Sequence, residues 1–132
     1  MLFKWRASKN AAPSKTRGEQ AEDRALHYLQ QRGLNLLERN YRVAAGPHAR
    51  AGEVDLIMRD SDGTTVFVEV RARADASHGG AAASVSATKQ RRLVYAARHY
   101  LLRLATPPPC RFDVVAIEGE AIEWLQAAFD AP

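Results

Sequence analysis

The chain has 132 residues with 46% hydrophobic and 26% charged side chains, a length and composition typical of one soluble globular domain with its own core. Its one cysteine, Cys110, excludes an internal disulfide and a multi-cysteine zinc site, and it fits a reducing compartment. No stretch approaches ~18 uninterrupted apolar residues and the N-terminus lacks the pattern of a signal peptide, so we expect a cytoplasmic protein without a membrane partner.

The formal net charge of +4 is distributed unevenly along the chain. Residues 1–17 carry five basic side chains and no acidic one, whereas residues 112–132 carry five acidic side chains and no basic one. We therefore predict a flexible basic N-terminal arm over 1–17, followed by a single domain over 18–132. Such an arm can hold a polyanion, or it can simply be a solvated tail.

The domain is predicted to open with a helix and a strand. The helix begins at Gly18 and ends at Gly33, because glycine is a common residue just after a helix C-terminus. Residues 35–43 are rich in Leu, Tyr and Val and predict a strand, whereas the glycine, proline and histidine within 44–51 predict a loop. The apolar positions that give the helix its period are Ala21, Ala25, Leu26 and Leu29.

The rest of the chain predicts a hairpin, a second helix and a last strand. Two strands with acidic side chains, 52–57 and 66–71, flank a segment rich in Asp, Ser and Gly, which indicates a hairpin turn. The order α-β-β-β-α-β indicates an α/β fold in which helices pack on one sheet. The elements after the hairpin are a loop at 74–84, a helix from Ser86 or Thr88 to about Ala105, a strand at 111–117 and a short amphipathic tail at 122–129.

The two acidic strands carry the main functional signal. Side chains two residues apart on a strand share a face, so Glu53 lies on the face of Asp55, and Glu69 lies on the face of Arg71 and Arg73. Each strand would then have one dry face and one acidic face. Carboxylates in proximity repel one another unless a cation lies between them, and Mg²⁺ or Mn²⁺ are hard ions that prefer oxygen ligands.

Such a metal site favours phosphodiester chemistry. A bound ion can activate a water nucleophile, and the guanidinium groups of Arg71 and Arg73 can pair with phosphate. The alternative is that the acidic and basic side chains of two half-exposed strands simply face water as weak ion pairs.

Residues on the two predicted helices also allow two interpretations. Glu19 lies in the first turn of the first helix, where the helix dipole favours an acid, or it supplies a third metal ligand. Lys89, Arg91 and Arg92 give the second helix a basic face, which can contact phosphate or can be an ordinary solvated surface.

Five sequence blocks together resemble the YraN-like family of small bacterial proteins. The resemblance extends from about Gly18 to Phe129, which is nearly the whole chain apart from the basic arm. It implies a restriction-endonuclease-like fold, with a central mixed sheet flanked by helices. The blocks are Gly18-Glu19, Arg39-Asn40-Tyr41-Arg42, Gly52-Glu53-Val54-Asp55-Leu56-Ile57, Val66-Phe67-Val68-Glu69-Val70-Arg71 and Arg111-Phe112-Asp113-Val114-Val115.

The resemblance also implies roles for particular residues. The nuclease signature of that fold is an acid followed by acid-x-Lys on the next strand, and archaeal Holliday-junction resolvases add a glutamate from the first helix. By position, Asp55 corresponds to the first acid, Glu69 to the second and Glu19 to the helix glutamate. Arg71 stands where the signature has lysine, and arginine stays protonated, so it can clamp phosphate but cannot act as a general base. Lys89 is a candidate to supply the missing amine from the helix.

The sequence therefore predicts a magnesium-dependent endonuclease acting on DNA, for which branched or damaged DNA is a candidate substrate. The alternative is a catalytically inactive module that keeps the nuclease fold and binds nucleic acid or another protein. A two-fold DNA junction would suit a homodimer. The predicted roles are Mg²⁺ or Mn²⁺ binding by Asp55 and Glu69 with help from Glu19 and Glu53, catalysis by Asp55, Glu69 and Arg71, and nucleic-acid binding by Arg71, Arg73, Lys89, Arg91 and Arg92.

Overall fold

The computed structural model of the chain describes residues 14–46, 49–73 and 85–131. Most of the predicted basic arm and the whole loop predicted at 74–84 lie outside these residues. The described elements are helices α1 (Arg17–Gln31) and α2 (Ala87–Leu101) and strands β1 (Asn35–Gly46), β2 (Ala49–Arg59), β3 (Thr65–Arg73), β4 (Cys110–Glu118) and β5 (Ala121–Phe129).

The five strands form one mixed sheet in the order β1-β2-β3-β4-β5. Strands β3 and β4 run parallel, whereas the other neighbouring pairs are antiparallel. Parallel neighbours need a crossover connection, and α2 lies in the segment that joins β3 to β4. A mixed sheet with two helices confirms the predicted α/β class. Among the described residues, neither helix is long and apolar enough to cross a bilayer.

Helix α1 is fixed at both ends by local interactions. Thr16 is its N-cap, and the side chain of Thr16 and that of Glu19 each accept a hydrogen bond from the other residue's backbone N–H, which forms a capping box. Gly33 follows the helix with φ of +95°, a conformation that glycine adopts without strain. The predicted helix from Gly18 to Gly33 is therefore confirmed to within about two residues at each end.

Helix α2 begins at the predicted cap but ends earlier than expected. The hydroxyl of Ser86 accepts a hydrogen bond from the N–H of Lys89, as an N-cap residue should. The helix ends at Leu101 rather than about Ala105. A tighter turn follows it, in which the N–H of Leu104 donates to the carbonyl three residues earlier, that of Leu101. The three prolines from Pro107 onward prevent the helix from resuming, because proline disfavours helical backbone before it, but they lie too far along the chain to account for the end at Leu101.

The central strands β2 and β3 are buried on both faces. Ile57 and Phe67 belong to a core cluster packed with α2, whereas Leu56, Met58 and Val68 belong to a second cluster packed with α1. The prediction of one dry face and one acidic face on each strand is therefore wrong. Because a helix covers each side of the sheet, the middle of both strands is apolar on both faces. The acidic side chains lie at the end of the β2–β3 hairpin that is far from its turn.

The sheet is larger than the sequence pattern indicated. The predicted loop at 44–51 is largely strand, because β1 extends to Gly46 and β2 begins at Ala49. The predicted amphipathic tail is the edge strand β5, which pairs with β4 through a hairpin whose first loop residue, Gly119, has φ of +59°. The strand does not alternate strictly between buried and exposed residues, and its backbone is irregular at Ala127, where φ is +50°.

Asp113 fixes the far part of β5 from inside the sheet. Its carboxylate is 1% exposed and accepts hydrogen bonds from the indole N–H of Trp124 at 2.9 Å and the backbone N–H of Ala127 at 2.9 Å. The guanidinium of Arg111 donates to the same carboxylate. These donors offset the cost of burying a charge and explain an acid inside an apolar strand.

The backbone of α2 packs directly on Gly52 of β2. A Cβ atom at this position would lie 2.5 Å from the carbonyl oxygen of Arg92 and 2.8 Å from the backbone nitrogen of Ala96. We expect Gly52→Ala to reduce the free energy of unfolding by about 1–3 kcal/mol, because overpacking against backbone atoms forces the helix away from the sheet. Urea denaturation measures this loss.

Gly46→Ala is the matched control for that substitution. Gly46 lies at the end of β1, its φ lies outside the left-handed region, and a Cβ atom added there would have no neighbour within 4 Å among the described residues. Its replacement should therefore change stability by less than about 0.5 kcal/mol. Equal stability of the two variants would contradict the close packing of α2 on β2.

Candidate active site

Strands β2 and β3 separate at the position of Asp55. Their pairing runs from Arg59–Thr65 near the turn to Leu56–Val68 and goes no further. Beyond it, the carboxylate of Asp55 accepts a hydrogen bond from the N–H of Val70 at 2.8 Å. A side chain thus takes the place of a backbone carbonyl, and the two strands form a fork.

A cavity of about 370 Å³ lies at this fork between the two helices. Helix α1 contributes Gly18, Ala21 and Glu22, and α2 contributes Lys89, Arg92 and Leu93. Four of the lining side chains are acidic and two are basic, so the cavity is rich in charge. Its charged residues are Glu22, Glu53, Asp55, Glu69, Lys89 and Arg92.

Glu69 is the most deeply buried acid of the cavity. Its side chain is 6% exposed, and the ammonium of Lys89 lies 2.9 Å from its Oε2. The Nη1 atom of Arg71 lies 3.8 Å from the same oxygen. A buried carboxylate needs such cations, since desolvation of an unpaired charge is costly. Lys89 therefore does reach the acidic strands from the first turn of α2.

Asp55 stands in an environment that favours its protonated form. Burial, followed by the neighbouring charge of Glu69, raises the pKa of Asp55 to about 8. The charge of Glu22 and a hydrogen bond with Glu69 act in the same direction, whereas the hydrogen bond from Val70 opposes them. The carboxylates are thus close enough to repel, which is the condition under which a cation between them is stabilising.

The acid that α1 contributes to the cavity is Glu22 and not Glu19, which the resemblance matched to the helix glutamate. The carboxylate of Glu19 is exposed and engaged in the capping box, and its pKa is lowered by hydrogen bonds from Thr16. Helical spacing could have identified Glu22. It stands three residues before Ala25 and seven before Leu29, so it lies on the same side of α1 as the buried residues that face the sheet.

The acidic side chains of the cavity supply the type of donor atom that a metal site needs, but they are not grouped closely around one point. Four carboxylates share the cavity, and Oε1 of Glu22 is buried without a hydrogen-bond partner among the described residues. This donor set fits a hard divalent cation. However, within residues 14–46, 49–73 and 85–131, no three Asp, Glu, His or Cys side chains are grouped closely enough to hold an ion.

The predicted phosphate-binding residues are divided among several places. Arg92 and Lys89 line the cavity, and Arg71 lies beside Glu69. Arg91 is exposed and donates a hydrogen bond to Thr88 on its own helix. The side chain of Arg73 lies outside the described part of the chain. Glu53 lines the cavity and also lies 3.7 Å from the guanidinium of Arg42.

All but one of the residues that line the cavity lie within a segment that the chain shares with a protein family. Residues 21–117 match the model of the Uncharacterised protein family UPF0102. The chain belongs to UPF0102. This membership confirms the resemblance to the YraN-like family.

Three UPF0102 relatives match most of the chain. A UPF0102 protein of Methylibium petroleiphilum is 70% identical over 118 residues, covering 89% of this chain and 97% of that protein. One from Albidiferax ferrireducens is 67% identical over 118 residues, covering 89% of this chain and 90% of that protein. One from Acidovorax sp. is 52% identical over 134 aligned residues, covering 99% of each.

The segment that matches UPF0102 contains all the charged residues of the cavity, from Glu22 to Arg92. Glu19 precedes it, and β5 follows it. The family match therefore covers both the fork in the sheet and nearly all of the two helices.

The raised pKa of Asp55 predicts how stability depends on pH when no divalent cation is present. Between the ordinary pKa of 3.8 and about 8, the folded protein holds a proton that the unfolded chain releases. The contribution of Asp55 to stability should therefore be fully present below that window and be lost as pH rises through it, by at most about 1.4 kcal/mol per pH unit. Urea denaturation in EDTA between pH 5 and 8 measures the slope.

Asp55→Asn should flatten this decline, because an amide keeps a hydrogen-bond acceptor for Val70 and does not titrate. Asp62→Asn is the control: Asp62 lies in the exposed turn of the hairpin, and its pKa is lowered by hydrogen bonds from Thr64. It is ionised in both states above pH 5, so its removal should leave the slope unchanged. A slope that survives in Asp55→Asn would show that another group is responsible.

Proposed function

We propose that this UPF0102 protein is a metal-dependent nuclease that hydrolyses phosphodiester bonds in DNA. The observation that carries the proposal is the meeting of Asp55 and Glu69 at the fork of β2 and β3, with Lys89 2.9 Å from Glu69. Two acids from adjacent strands and one amine, opening into a cavity, are the side chains that such hydrolysis needs.

Mg²⁺ or Mn²⁺ would be held by Asp55 and Glu69, with Glu22 or Glu53 as a further ligand. The pKa of Asp55 is raised first by burial and then by the charge of Glu69; this supports the assignment, because a dication would replace the proton as the neutralising charge. When bound, the ion supplies an activated water and stabilises charge on the attacked phosphate.

The basic side chains would hold the substrate and its developing charge. Lys89 replaces the amine that Arg71 cannot supply, since arginine does not release a proton at neutral pH. Arg71 would contact the phosphate, and Arg92, on the cavity wall, would bind the neighbouring backbone. The basic arm over 1–17 and Arg91 would add affinity that falls as salt concentration rises.

The architecture supports the same proposal. The order of elements and the mixed sheet accord with the restriction-endonuclease-like fold that the resemblance implies. Fold alone does not establish chemistry, so the proposal rests on the side chains at the fork. Branched or damaged DNA as the substrate, and a homodimer as the active form, are parts of the proposal that follow from the resemblance to resolvases.

A second candidate is a binding module that has lost catalysis. Two observations favour it: Glu69 is already neutralised by Lys89 and Arg71, and the described residues contain no group of three metal-binding side chains. In this case the cavity cations and the basic arm would hold nucleic acid without cutting it.

Asp55→Asn and Glu69→Gln should each abolish Mg²⁺-dependent cleavage of DNA, because each removes a charge that the ion requires. The expected loss is more than about 100-fold, beyond what removal of a residue that merely supports a ligand costs. Cleavage of linear, nicked and four-way-junction DNA by the purified protein measures it, and circular dichroism checks the fold.

Glu19→Gln is the matched control for these two variants. Glutamine also completes a capping box, so this change removes one carboxylate of α1 while keeping the helix start. It should cut DNA at the wild-type rate. Calorimetry with Mn²⁺ separates the two candidates: DNA affinity without metal binding would favour the module, and cleavage by Asp55→Asn at the wild-type rate would exclude the nuclease mechanism.

A further inference from the structure

The exposed side of α2 combines arginine with large apolar side chains. Arg91, Tyr95, Arg98 and Leu102 follow one another at steps of four, three and four residues, so they line a single side of the helix. All four residues are exposed. The backbone of Leu102 keeps helical dihedral angles, with φ of −64° and ψ of −17°, so the pattern continues one residue past Leu101. We name these four residues the outer face of α2.

Large apolar side chains are rarely exposed in this protein. Tyr95 is 47% exposed and Leu102 is 84% exposed, and Leu36 on β1 is the one other exposed large hydrophobic residue in the part of the chain that the structure describes. The exposed residues of α1, by contrast, are polar, charged or glycine. Apolar side chains scattered singly are normal, whereas neighbouring ones on one surface mark an interaction site. The outer face of α2 is therefore a candidate interaction surface.

The charge of α2 indicates which kind of partner fits this surface. From Ala87 to Leu101 the helix carries four Lys or Arg side chains and no acidic side chain. Helix α1 carries two Arg side chains and three acidic ones. A positive surface attracts polyanions, and cationic side chains bind the phosphate backbone of nucleic acid by releasing its counterions. Charge complementarity thus favours nucleic acid at α2 rather than at α1.

The outer face of α2 adjoins the cavity. Arg92 lines the cavity together with Lys89, and it stands three residues before Tyr95, so Arg92 and Tyr95 are neighbours on the helix surface. Arg91 and Arg98 are seven residues apart, which is about 10 Å along the helix axis. A DNA strand with one phosphate in the cavity would therefore continue over an arginine, an aromatic ring and a second arginine.

We propose that the outer face of α2 binds an unpaired stretch of the DNA substrate, with a base stacked on Tyr95 and phosphates held by Arg91 and Arg98. This inference rests on the proposed function, and it narrows the substrate to DNA with single-stranded nucleotides beside the bond that is cut. Every base has a π-face that stacks on an aromatic side chain, whereas in a duplex that face is covered by the neighbouring bases. Leu102 extends the apolar surface beyond the ring.

The alternatives are an ordinary solvated helix face and a surface for a protein partner. Arg98 lies in the last turn of α2, where the helix dipole favours a cation, and Tyr and Arg are also frequent in protein interfaces. Neither alternative predicts that the ring of Tyr95 strengthens binding of single-stranded DNA and leaves binding of duplex DNA unchanged. Affinity for the two forms of DNA therefore distinguishes the proposal from both alternatives.

Tyr95→Ala, Tyr95→Leu and Tyr95→Phe test the proposal in the full-length chain. Fluorescence anisotropy at low salt measures the Kd for a labelled single strand and for a duplex of the same length, in EDTA so that no cleavage occurs. We expect alanine and leucine to weaken single-strand binding by about 5-fold or more, because both remove the stacking ring. Phenylalanine keeps the ring and should stay within about 2-fold of the wild type. All three variants should keep duplex affinity within about 2-fold.

The two arginines have a charge-matched control on the other side of the sheet. Arg91→Ala and Arg98→Ala should each weaken single-strand binding and make it less sensitive to salt, because each removes a phosphate contact. Arg32 is exposed just after α1, and its guanidinium lies 3.5 Å from the ring centroid of Tyr28. Arg32→Ala should keep single-strand affinity within about 2-fold. An equal loss in Arg32→Ala would show that only net charge matters and would overturn the assignment to α2.

The ring of Tyr95 decides the inference. Wild-type single-strand affinity in Tyr95→Ala, or equal losses for single strand and duplex, would overturn it. A changed oligomeric state of Tyr95→Ala with unchanged DNA affinity would also overturn it and would assign the outer face to a protein contact. Circular dichroism checks the fold of each variant, and alanine and leucine are both strong helix formers.

Cleavage in Mg²⁺ distinguishes failure of this inference from failure of the proposed function. Cleavage by the wild type, together with unchanged single-strand binding in Tyr95→Ala, would overturn the role of Tyr95 and leave the nuclease standing. Single-strand binding that depends on Tyr95, without any cleavage, would overturn the nuclease and support the outer face as the surface of a binding module.

Discussion

The site depends on the point at which hydrogen bonding between β2 and β3 stops. Up to Leu56 the two strands are ordinary neighbours in the middle of a sheet, buried on both faces. Beyond it, the carboxylate of Asp55 satisfies the N–H of Val70. Where the strands separate, the N–H of Val70 loses its backbone partner and needs another acceptor. The carboxylate of Asp55 supplies it, so the separation of the strands and the position of this acid depend on each other. Everything else in the cavity is arranged around that acid.

Each helix adds charge to the fork from a different side of the sheet. Helix α2 lies close enough to β2 to require Gly52, and this proximity lets Lys89 reach Glu69. Helix α1 adds Glu22, held at 3.5 Å by a side chain of β1. The acids and bases of the cavity therefore come from four separate elements, and their geometry is a property of the tertiary packing rather than of any one motif.

The fold and the central pair of acids could be read from the sequence because both follow from short-range patterns. Strand periodicity and turn residues placed Asp55 and Glu69 on adjacent strands. Glu22 was missed because the resemblance matched Glu19 to the helix glutamate by position, whereas Glu19 lies in the capping box of α1. The contact of Lys89 with Glu69 depends on how α2 packs, which spacing along the chain does not encode. The edge strand was read as a tail because its apolar residues do not alternate strictly.

Asp113 has a consequence for the behaviour of this protein at high concentration. Strand β5 forms the outer border of the sheet, and such borders are templates on which foreign strands can add. By drawing the N–H of Ala127 inward, and by holding that residue at φ of +50°, the buried acid interrupts the regular spacing of the border. A strand added at this margin would find no regular ladder of partners around Ala127, so β5 is a poorer template for edge-to-edge pairing than an unbroken strand.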